Sequence, residues 1–593
     1  MNRQKAPSEL RQALDVLRPY FVRASWFSLV GSLLMLAPTG YMLEVYDRVV
    51  NSRSHMTLWM LTLLVLGLYA VMELLDWSRN EILRGAGHAL DKQLSGRMFD
   101  VIFEANLRRV PGGSVQSMND FRTVRDFLHA PVLVAIMEAP VALVFMVLIF
   151  AISPVLGWSA VAGAIVQTGV AWLNERSSQP PLAQASRASI GAQQYADGSL
   201  RNAEVIESMG MLRNIHRLWM SKQRDFLELQ AKASDVAGVF QAISKFVQQV
   251  MGSLLLGLGA WLLLGGKLNG GAGMMIIASV LGGRMLAPLV QVVSQWRAVV
   301  GVRLAWTRLE QLLGQLPKRS PSMALPAPEG AVVVDGLVAG APGSHTVIVR
   351  GIQFSMTPGQ VLAVVGPSAS GKTTLARLLT GLWPAGGGKV RLDGVDVFIW
   401  DKAELGPHVG YLPQGVELFE GTLAENIARF GVVDQAKVEE AARLVGLHDY
   451  ILSLPQGYDS PVGRDGAMLS GGQRQRAALA RALYGNPVFV VLDEPNSSLD
   501  EEGDAALASA ITTLKARGTT FVVMTHRTSV LAVADLMLVM REGAQQLFGP
   551  RDEVLAALKK AAQEAAQARQ APQGPQGPQG PQAPAAGLLV SAA

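Results

Sequence analysis

The sequence predicts two parts of different kinds, a helical membrane-spanning part followed by a soluble α/β part. Half of the 593 residues are hydrophobic and the mean hydropathy is +0.26, which is high for a purely soluble chain of this size. The apolar residues are also unevenly placed. Long uncharged runs fill the first three hundred residues, whereas the pattern after about residue 331 alternates as in a soluble domain. A chain of this length is expected to form several domains.

Composition excludes several kinds of site and partner. The chain has no cysteine, which rules out disulfides and thiolate metal sites. Its eight histidines show no metal-ligand spacing. The formal net charge is +5, but the basic residues are not interleaved with aromatic ones as they are on nucleic-acid-binding surfaces. We therefore expect no nucleic-acid partner and interpret the basic residues as cytoplasmic loops of a membrane protein.

Residues 1–24 are predicted to form a cytoplasmic N-terminal segment. The stretch is basic and polar, and it lacks the short apolar core and the small-residue cleavage site of a signal peptide.

Six apolar runs predict six transmembrane helices, because a helical crossing needs roughly 20 apolar residues. The runs cover about 25–46, 57–75, 131–152, 154–173, 247–265 and 270–293. The third and sixth runs contain Glu138 and Arg284. A charge inside a crossing either faces an aqueous path or has a structural explanation, such as a side chain that reaches the interface. The sequence leaves both explanations open.

The segments between the apolar runs alternate in length. Those near 47–56, 152–155 and 266–270 are short, whereas 76–130 and 174–246 are long and carry most of the basic residues. The positive-inside rule places the long segments in the cytoplasm together with both termini. Their composition is helical, so we expect residues 25–315 to form a membrane domain whose helices continue as cytoplasmic stems.

The second part contains a phosphate-binding loop. The strand "GQVLAVVG" runs into "GPSASGKTT" and then into the helix "KTTLARLLTGL", which is the order strand, G-x-x-x-x-G-K-[ST], helix. Glycines let the backbone wrap phosphates, Lys372 would reach the β- and γ-phosphates, and the Thr373 hydroxyl would hold Mg²⁺. The predicted nucleotide-binding residues are Gly366, Pro367, Ser368, Ala369, Ser370, Gly371, Lys372, Thr373 and Thr374.

Two carboxylates end a buried apolar strand further along, in "PVFVVLDEP". Unpaired buried charge is costly, so a metal ion and a water molecule are the expected reason for it. Asp493 would hold Mg²⁺, and Glu494 would act as general base on the attacking water. The strand "FVVMTHR" would deliver His526 to the same edge of the sheet as a γ-phosphate sensor.

The order of these motifs closely resembles the ATP-binding cassette family. The motifs are the P-loop, Gln414, "LSGGQ" at 469–473, "DE" at 493–494, "SSLD" at 497–500 and His526. The resemblance implies a head-to-tail dimer of cassettes that encloses two ATP molecules, each on the P-loop of one cassette and under the LSGGQ loop of the other. Residues predicted to contact the partner's ATP are Ser470, Gly471, Gly472, Gln473 and Asp500.

The same resemblance completes the predicted site. Its catalytic residues are Glu494, His526 and Gln414, and its Mg²⁺ ligands are Thr373, Gln414 and Asp493. Six crossings ahead of one cassette (331–560) resemble the type I ABC exporter fold, so we expect ATP and Mg²⁺ as cofactors and a homodimer with twelve crossings as the working unit.

The membrane part is similar to the permease/ATPases of type I secretion systems, in the branch that exports proteases, lipases and S-layer-type proteins. The segments that carry this resemblance are 41–58, 112–128 and 201–212. It implies a protein of the bacterial inner membrane that exports an unfolded polypeptide with a C-terminal signal. Expected partners are a periplasmic membrane fusion (adaptor) protein, an outer-membrane channel protein, the secreted substrate and membrane lipid. A lipid or drug exporter of the same fold is the alternative.

Two departures from the family pattern affect details. No aromatic residue precedes the P-loop to stack on adenine, so we expect aliphatic side chains around Val338 in that place. Arg464 stands where exporters often have glutamate, in the segment thought to couple cassette and stems. The tail 571–593 carries three collagen-like triplets, too few for a triple helix, and is predicted to be disordered.

Overall fold

The computed structural model describes residues 8–110, 112–268, 271–318, 325–344, 346–463 and 466–570. Arg464 and the tail 571–593 lie outside the described residues. The chain divides into two units, Met1–Arg319 and Ser320–Ala593, each with its own core.

The first unit is helical throughout. Its helices are α1 Glu9–Val16, α2 Arg18–Leu34, α3 Ala37–Glu44, α4 Val50–Ser52, α5 His55–Leu107, α6 Val115–Phe127, α7 Pro131–Ile152, α8 Pro154–Arg201, α9 Ala203–Ser208, α10 Leu212–Leu264, α11 Gly271–Ser294 and α12 Trp296–Gln315. A π-helical turn, Val45–Val49, joins α3 to α4. In the described part of the chain, six helical segments are long and apolar enough to cross a membrane, which agrees with the six predicted crossings. The long segments between crossings are helical, as predicted, because α5, α8 and α10 continue far beyond membrane thickness.

Exposed tryptophans mark two levels along these helices. Trp59 and Trp158 lie about one turn from the starts of α5 and α8, and Trp261 lies about one turn from the end of α10. The second level carries Trp26, Trp77 and Trp172, and all six side chains are more than half exposed. On α5 the two levels are 18 residues apart, about 27 Å at 1.5 Å per residue. Two such belts are typical of the two faces of a bilayer.

The charges inside the crossings have partners within the unit. Glu138 Oε1 lies 2.9 Å from Arg79 Nη1, and Asp76 Oδ1 lies 3.1 Å from the same nitrogen. Arg284 donates a hydrogen bond to the backbone carbonyl of Met35, where the first crossing is interrupted between α2 and α3. Each charge therefore has a structural explanation in this unit.

A separate apolar core lies beyond the crossings and joins α1, α5, α6 and α12. Arg308 of α12 binds Asp120 of α6 through two hydrogen bonds of 2.7 Å, and the Asp120 side chain is only 3% exposed. Arg97 of α5 binds Glu9 of α1 in the same two-pronged way. These pairs fix the helices of the stem region against one another.

The second unit contains a ten-stranded sheet in the order β5-β4-β1-β2-β10-β9-β3-β8-β7-β6. The strands are β1 Val332–Gly340, β2 Val347–Met356, β3 Val361–Val365, β4 Gly387–Leu392, β5 Val395–Asp396, β6 Val409–Leu412, β7 Phe489–Asp493, β8 Thr520–Met524, β9 Leu536–Arg541 and β10 Ala544–Pro550. The helices are α13 Lys372–Leu379, α14 Lys402–Leu405, α15 Leu423–Ile427, α16 Gln435–Leu444, α17 His448–Ser453, α18 Gly471–Leu483, α19 Glu501–Ala516, α20 Thr528–Val533 and α21 Arg551–Gln570.

Five neighbouring strands, β9, β3, β8, β7 and β6, run parallel. Side chains of β7 and β8 are buried on both faces, which is why these strands are continuous apolar runs. Val490 and Phe521 join the core that contains α18 and α19, whereas Phe489 and Val522 join the core that contains α13. The carboxyl ends of parallel strands share one edge, and that edge is where ligands bind in such sheets.

Candidate nucleotide site

The P-loop lies between β3 and α13, and its backbone requires glycine at both ends. A Cβ atom on Gly366 would stand 2.2 Å from the carbonyl oxygen of Met540, and Gly371 has a φ of +95°. Lys372 Nζ donates to the carbonyls of Gly366 and Pro367, at 2.7 and 3.2 Å. The ammonium group thus lies within the loop, where an anion would be attracted to it and to the start of α13.

Asp493 ends β7 and is fully buried. Neither of its carboxylate oxygens accepts a hydrogen bond of normal geometry, and the Ser370 hydroxyl of the P-loop is also buried without a partner. Burial raises the pKa of Asp493, the Thr373 hydroxyl opposes that shift, and the charge of Glu494 adds to it. A buried carboxylate without a partner is costly unless a ligand satisfies it.

Four predicted residues come together at this edge of the sheet. Gln414 Nε2 donates to Glu494 Oε2 at 3.1 Å, although the two residues are 80 positions apart. Lys372 Nζ lies 3.1 Å from His526 Nε2. Glu494 has a φ of +53°, unusual for a residue with a side chain, and strain of this kind is concentrated at functional sites.

The electrostatics of these groups are coupled. Burial lowers the pKa of Lys372, while Glu494 and Asp493 act in the opposite direction. Burial also lowers the pKa of His526, and the positive charge of Lys372 lowers it further. A neutral imidazole at this place can accept or donate one hydrogen bond at a phosphate without adding a fixed charge.

The residues fit a magnesium ion that is brought in with phosphates. The Asp493 carboxylate, the Thr373 hydroxyl and the amide oxygen of Gln414 are oxygen donors, the kind that Mg²⁺ prefers. Among the described residues no three His, Cys, Asp or Glu side chains cluster as a metal site. Such a site needs further oxygens, and nucleotide phosphates would supply them.

The LSGGQ loop forms the start of α18. Ser470 is its N-cap and forms a capping box with Gln473. Gly472 lies close to the loop before α19, since a Cβ atom there would be 3.2 Å from the carbonyl of Ser498. Asp500 caps α19 and pairs with Arg476 of α18 at 2.6 Å. Ser470–Gln473 and Asp500, the residues predicted to contact the partner's ATP, are called the second surface below.

Sequence reasoning missed two buried polar residues of this unit, Gln475 and Asn496. Gln475 is 2% exposed and donates to the carbonyl of Pro495, and Asn496 is 4% exposed and donates to Asp504. A polar residue on the apolar face of α18 was the signal available for Gln475. The place of adenine stays a prediction; Val338 is half-buried in β1, opposite Gly387 of β4.

Comparisons with known proteins identify the family of the chain. The family model described as ABC transporter matches residues 349–497, and that of the ABC transporter transmembrane region matches residues 24–285. The type I secretion system ATP-binding protein PrsD of Rhizobium meliloti (strain 1021) is 40% identical over 93% of this chain and 95% of its own. This chain belongs to the type I secretion ABC transporters.

Two translocation ATP-binding proteins match at lower identity. The toxin RTX-I translocation ATP-binding protein of Actinobacillus pleuropneumoniae is 27% identical over 91% of this chain and 77% of its own. The alpha-hemolysin translocation ATP-binding protein HlyB of Escherichia coli is 27% identical over 92% of this chain and 77% of its own. A bacterial Atm1-family ABC exporter with ATP bound has the same fold, with a TM-score of 0.80, 24% identity, and coverage of 95% of this chain and 100% of that one.

Membership settles the fold class and the general activity. The chain has the ABC exporter fold, a membrane domain of six apolar helices fused to a cassette, as the sequence predicted. It binds ATP and hydrolyses it in a reaction coupled to transport. The transmembrane family match and the six apolar helical segments of the described residues make it a multi-pass membrane protein.

Proposed function

We propose that this protein exports polypeptides across the bacterial inner membrane as the homodimeric motor of a type I secretion system. The observation that carries the proposal is the 40% identity to a type I secretion protein over nearly the full length of both chains. The names of the RTX-I and alpha-hemolysin relatives, both toxin translocation proteins, support a polypeptide substrate. The exported chain is unfolded and carries a C-terminal signal.

The ATP site performs hydrolysis as follows. The P-loop backbone and Lys372 bind the phosphates. Thr373, Asp493 and Gln414 would hold Mg²⁺, and the ion would supply positive charge that offsets the charge of the phosphates. Glu494 takes the proton of the attacking water as general base, and its contact with Gln414 orients it. His526 contacts the γ-phosphate in place of its present contact with Lys372.

The second surface completes the site of the partner. Ser470–Gln473 and Asp500 of one protomer cover the ATP bound by the other, where the partial positive charge at the start of α18 suits an anion. ATP binding closes the two cassettes and turns the path outward, and hydrolysis reopens it.

The proposed arrangement in the membrane is based on the distribution of basic residues between the loops. Residues 1–24, the stems within 25–315, the cassette (331–560) and the tail (571–593) lie in the cytoplasm, and the periplasmic adaptor and outer-membrane channel continue the path outside. Membrane lipid surrounds the two tryptophan belts.

The test compares proteins in the culture medium of cells that carry the wild type, a deletion, Glu494→Gln or Glu553→Gln. Glu553 is an exposed glutamate of α21, so its variant controls for the same chemical change away from the site. We expect one or a few proteins to leave the medium and accumulate inside in the deletion and in Glu494→Gln only. An unchanged medium in expressing cells would contradict protein export and favour the lipid or small-molecule alternative.

A further inference from the structure

A cavity of about 290 Å³ lies in the stem region of the first unit, between α6, α8, α10 and α12. Its buried lining includes Ala185 of α8, Ala233 of α10 and Val300 of α12. The two alanines leave space that larger side chains would fill. Pockets for drug-sized ligands measure roughly 300–1,000 Å³. This cavity is therefore large enough for the end of a chain but small for a whole ligand of that size.

The cavity lies outside the region between the two tryptophan levels. On α8, Ala185 follows Trp172 by 13 positions, about 20 Å of helix. On α10, Phe226 of the cavity lining precedes Trp261 by 35 positions, about 50 Å of helix, whereas the hydrocarbon core of a bilayer is about 30 Å thick. A ligand therefore reaches this cavity from water.

Arg297 carries the single charge among the described residues that line the cavity. It is exposed, and it is one of three arginines on α12. Arg303 and Arg308 pair with Glu175 and Asp120. The side chain of Arg297, by contrast, has no hydrogen bond or ion pair within the described part of the chain. A guanidinium group without a carboxylate of its own is suited to bind one from a ligand through two parallel hydrogen bonds.

Uncharged hydrogen-bonding groups complete the polar part of the lining. They are Ser186 and Ser189 of α8, Gln116 of α6 and Gln230 of α10. The amide of Gln116 is held in place, because it donates to Asp120 Oδ1 at 2.9 Å. Ser199 of α8 uses its hydroxyl within its own helix, by donating to a carbonyl four residues earlier. Neither cavity serine has such a bond in the described residues, so both hydroxyls are available to a ligand.

We propose that this cavity is a binding site for an apolar chain that ends in a carboxylate, and that its occupant is the C-terminal end of the exported polypeptide. The inference rests on the proposed polypeptide export. The terminal carboxylate binds Arg297, and the last apolar side chain packs against Ala185 and Val300. The hydroxyls and amides of the lining bind peptide N–H and C=O groups. A fatty acid has the same carboxylate and apolar chain but offers these groups nothing to bind.

The first experiment is equilibrium dialysis of radiolabelled N-acetyl-trileucine against the purified full-length protein in lipid nanodiscs, with empty nanodiscs as the blank. We expect saturable binding. Unlabelled N-acetyl-trileucine should displace the label at least fivefold better than its C-terminal amide, which lacks the charge, and than octanoate, which lacks the peptide groups. Arg297→Gln should weaken binding at least fivefold and abolish the preference for acid over amide. Arg224→Gln, at an exposed arginine of α10 outside the lining, should match the wild type.

Gly301 offers a way to fill the cavity without a clash. It lines the cavity on α12, and a Cβ atom there would meet no atom within 4 Å. Gly301→Leu should weaken peptide binding at least fivefold with a Tm no lower than that of the wild type, since leucine favours a helix more than glycine does. Gly314→Leu is the matched control, because Gly314 is equally open on the same helix but outside the cavity lining. In cells, only Gly301→Leu should reduce secretion of the proteins that the deletion removes from the medium.

The outcomes separate this proposal from the export function. The proposal is overturned if the peptide shows no saturable binding, if acid and amide bind equally, or if Gly301→Leu binds and secretes as the wild type does. Stronger displacement by octanoate than by the peptide acid would assign the cavity to a lipid-type carboxylate and overturn the polypeptide occupant. The export function is judged by the deletion alone. If the deletion leaves the medium unchanged, polypeptide export fails, and the occupant proposed for this cavity fails with it.

Discussion

Buried carboxylates in the two units have opposite surroundings. In the membrane unit, Asp120 receives both prongs of the Arg308 guanidinium, and Glu138 faces Arg79. In the cassette, Asp493 is more deeply buried than Glu138 and has no hydrogen bond of normal geometry. A paired buried charge is explained by its partner, whereas an unpaired one points to a ligand. The difference therefore separates positions that maintain the fold from positions that perform the reaction.

The largest effect is expected for Glu494→Gln, which tests the reactive side of the comparison. Loss of the general base should lower kcat at least about a hundredfold while ATP still binds, so the variant accumulates as a closed dimer. Steady-state hydrolysis measures the first effect, and retention of labelled ATP by the full-length dimer after removal of free nucleotide measures the second. Unchanged hydrolysis would contradict the assignment of the base, and Glu553→Gln is the matched control.

Asp120→Asn tests the structural side. Removing the charge leaves Arg308 with weaker neutral acceptors, and we expect the free energy of unfolding to fall by about 3 kcal/mol or less, since Arg308 is partly exposed. Thermal unfolding in detergent is the measurement. Asp126→Asn, at an exposed pair with Arg125, should change stability far less. Equal losses in the two variants would mean that burial does not distinguish these pairs.

Lys372→Ala should weaken ATP binding by about 10- to 100-fold, because charge-assisted hydrogen bonds to phosphate are lost. Isothermal titration calorimetry gives the Kd. Lys559→Ala removes an exposed lysine of α21 and should leave the Kd for ATP unchanged. An unaltered Kd in Lys372→Ala would show that Lys372 does not bind the phosphates.

Asp493→Asn should have effects of opposite sign with and without ligand. Without nucleotide, loss of an unpaired buried charge should raise the free energy of unfolding by about 1–2 kcal/mol. With ATP and Mg²⁺, the stabilisation seen for the wild type should disappear. Thermal unfolding under both conditions tests this, with Asp552→Asn at an exposed pair as control. A destabilised nucleotide-free variant would mean that Asp493 serves the fold.

The smallest effect is expected for Glu138→Gln. Arg79 keeps Asp76 as a charged neighbour, and the new amide oxygen still accepts a hydrogen bond. The free energy of unfolding should therefore fall by only about 1 kcal/mol. Glu81 belongs to an exposed ion pair, so the comparison with Glu81→Gln isolates the contribution of burial to the free energy of unfolding. If Glu138→Gln instead abolishes secretion at unchanged stability, Glu138 belongs to the transport path.

The fold and most of the site could be predicted because their signals are local. Six apolar runs indicate membrane crossings however the helices pack against one another. The P-loop glycines lie within a few positions of each other in the sequence. The strand that ends in Asp493 is apolar and buried but ends in a charged residue, and this combination by itself indicates a ligand.

The missing parts depend on contacts between distant residues. Nothing near Glu138 in sequence reveals Arg79, which is 59 positions away, and nothing near Asn496 reveals Thr525. Such pairs form only when helices and loops have been packed together, so composition and spacing do not contain them.

The length of the uninterrupted helices gives the protein lever arms. α5 and α10 each have 53 residues without an internal proline, about 80 Å at 1.5 Å per residue. A tilt of about 5° at one end of such a rod moves the other end by about 7 Å, more than one helical turn. α8 carries Pro180 and Pro181 within its length, where lost backbone hydrogen bonds permit a bend. α5 and α10 would therefore move as rigid rods, whereas α8 would bend. The same small rotation would then displace the ends of these helices by unequal distances.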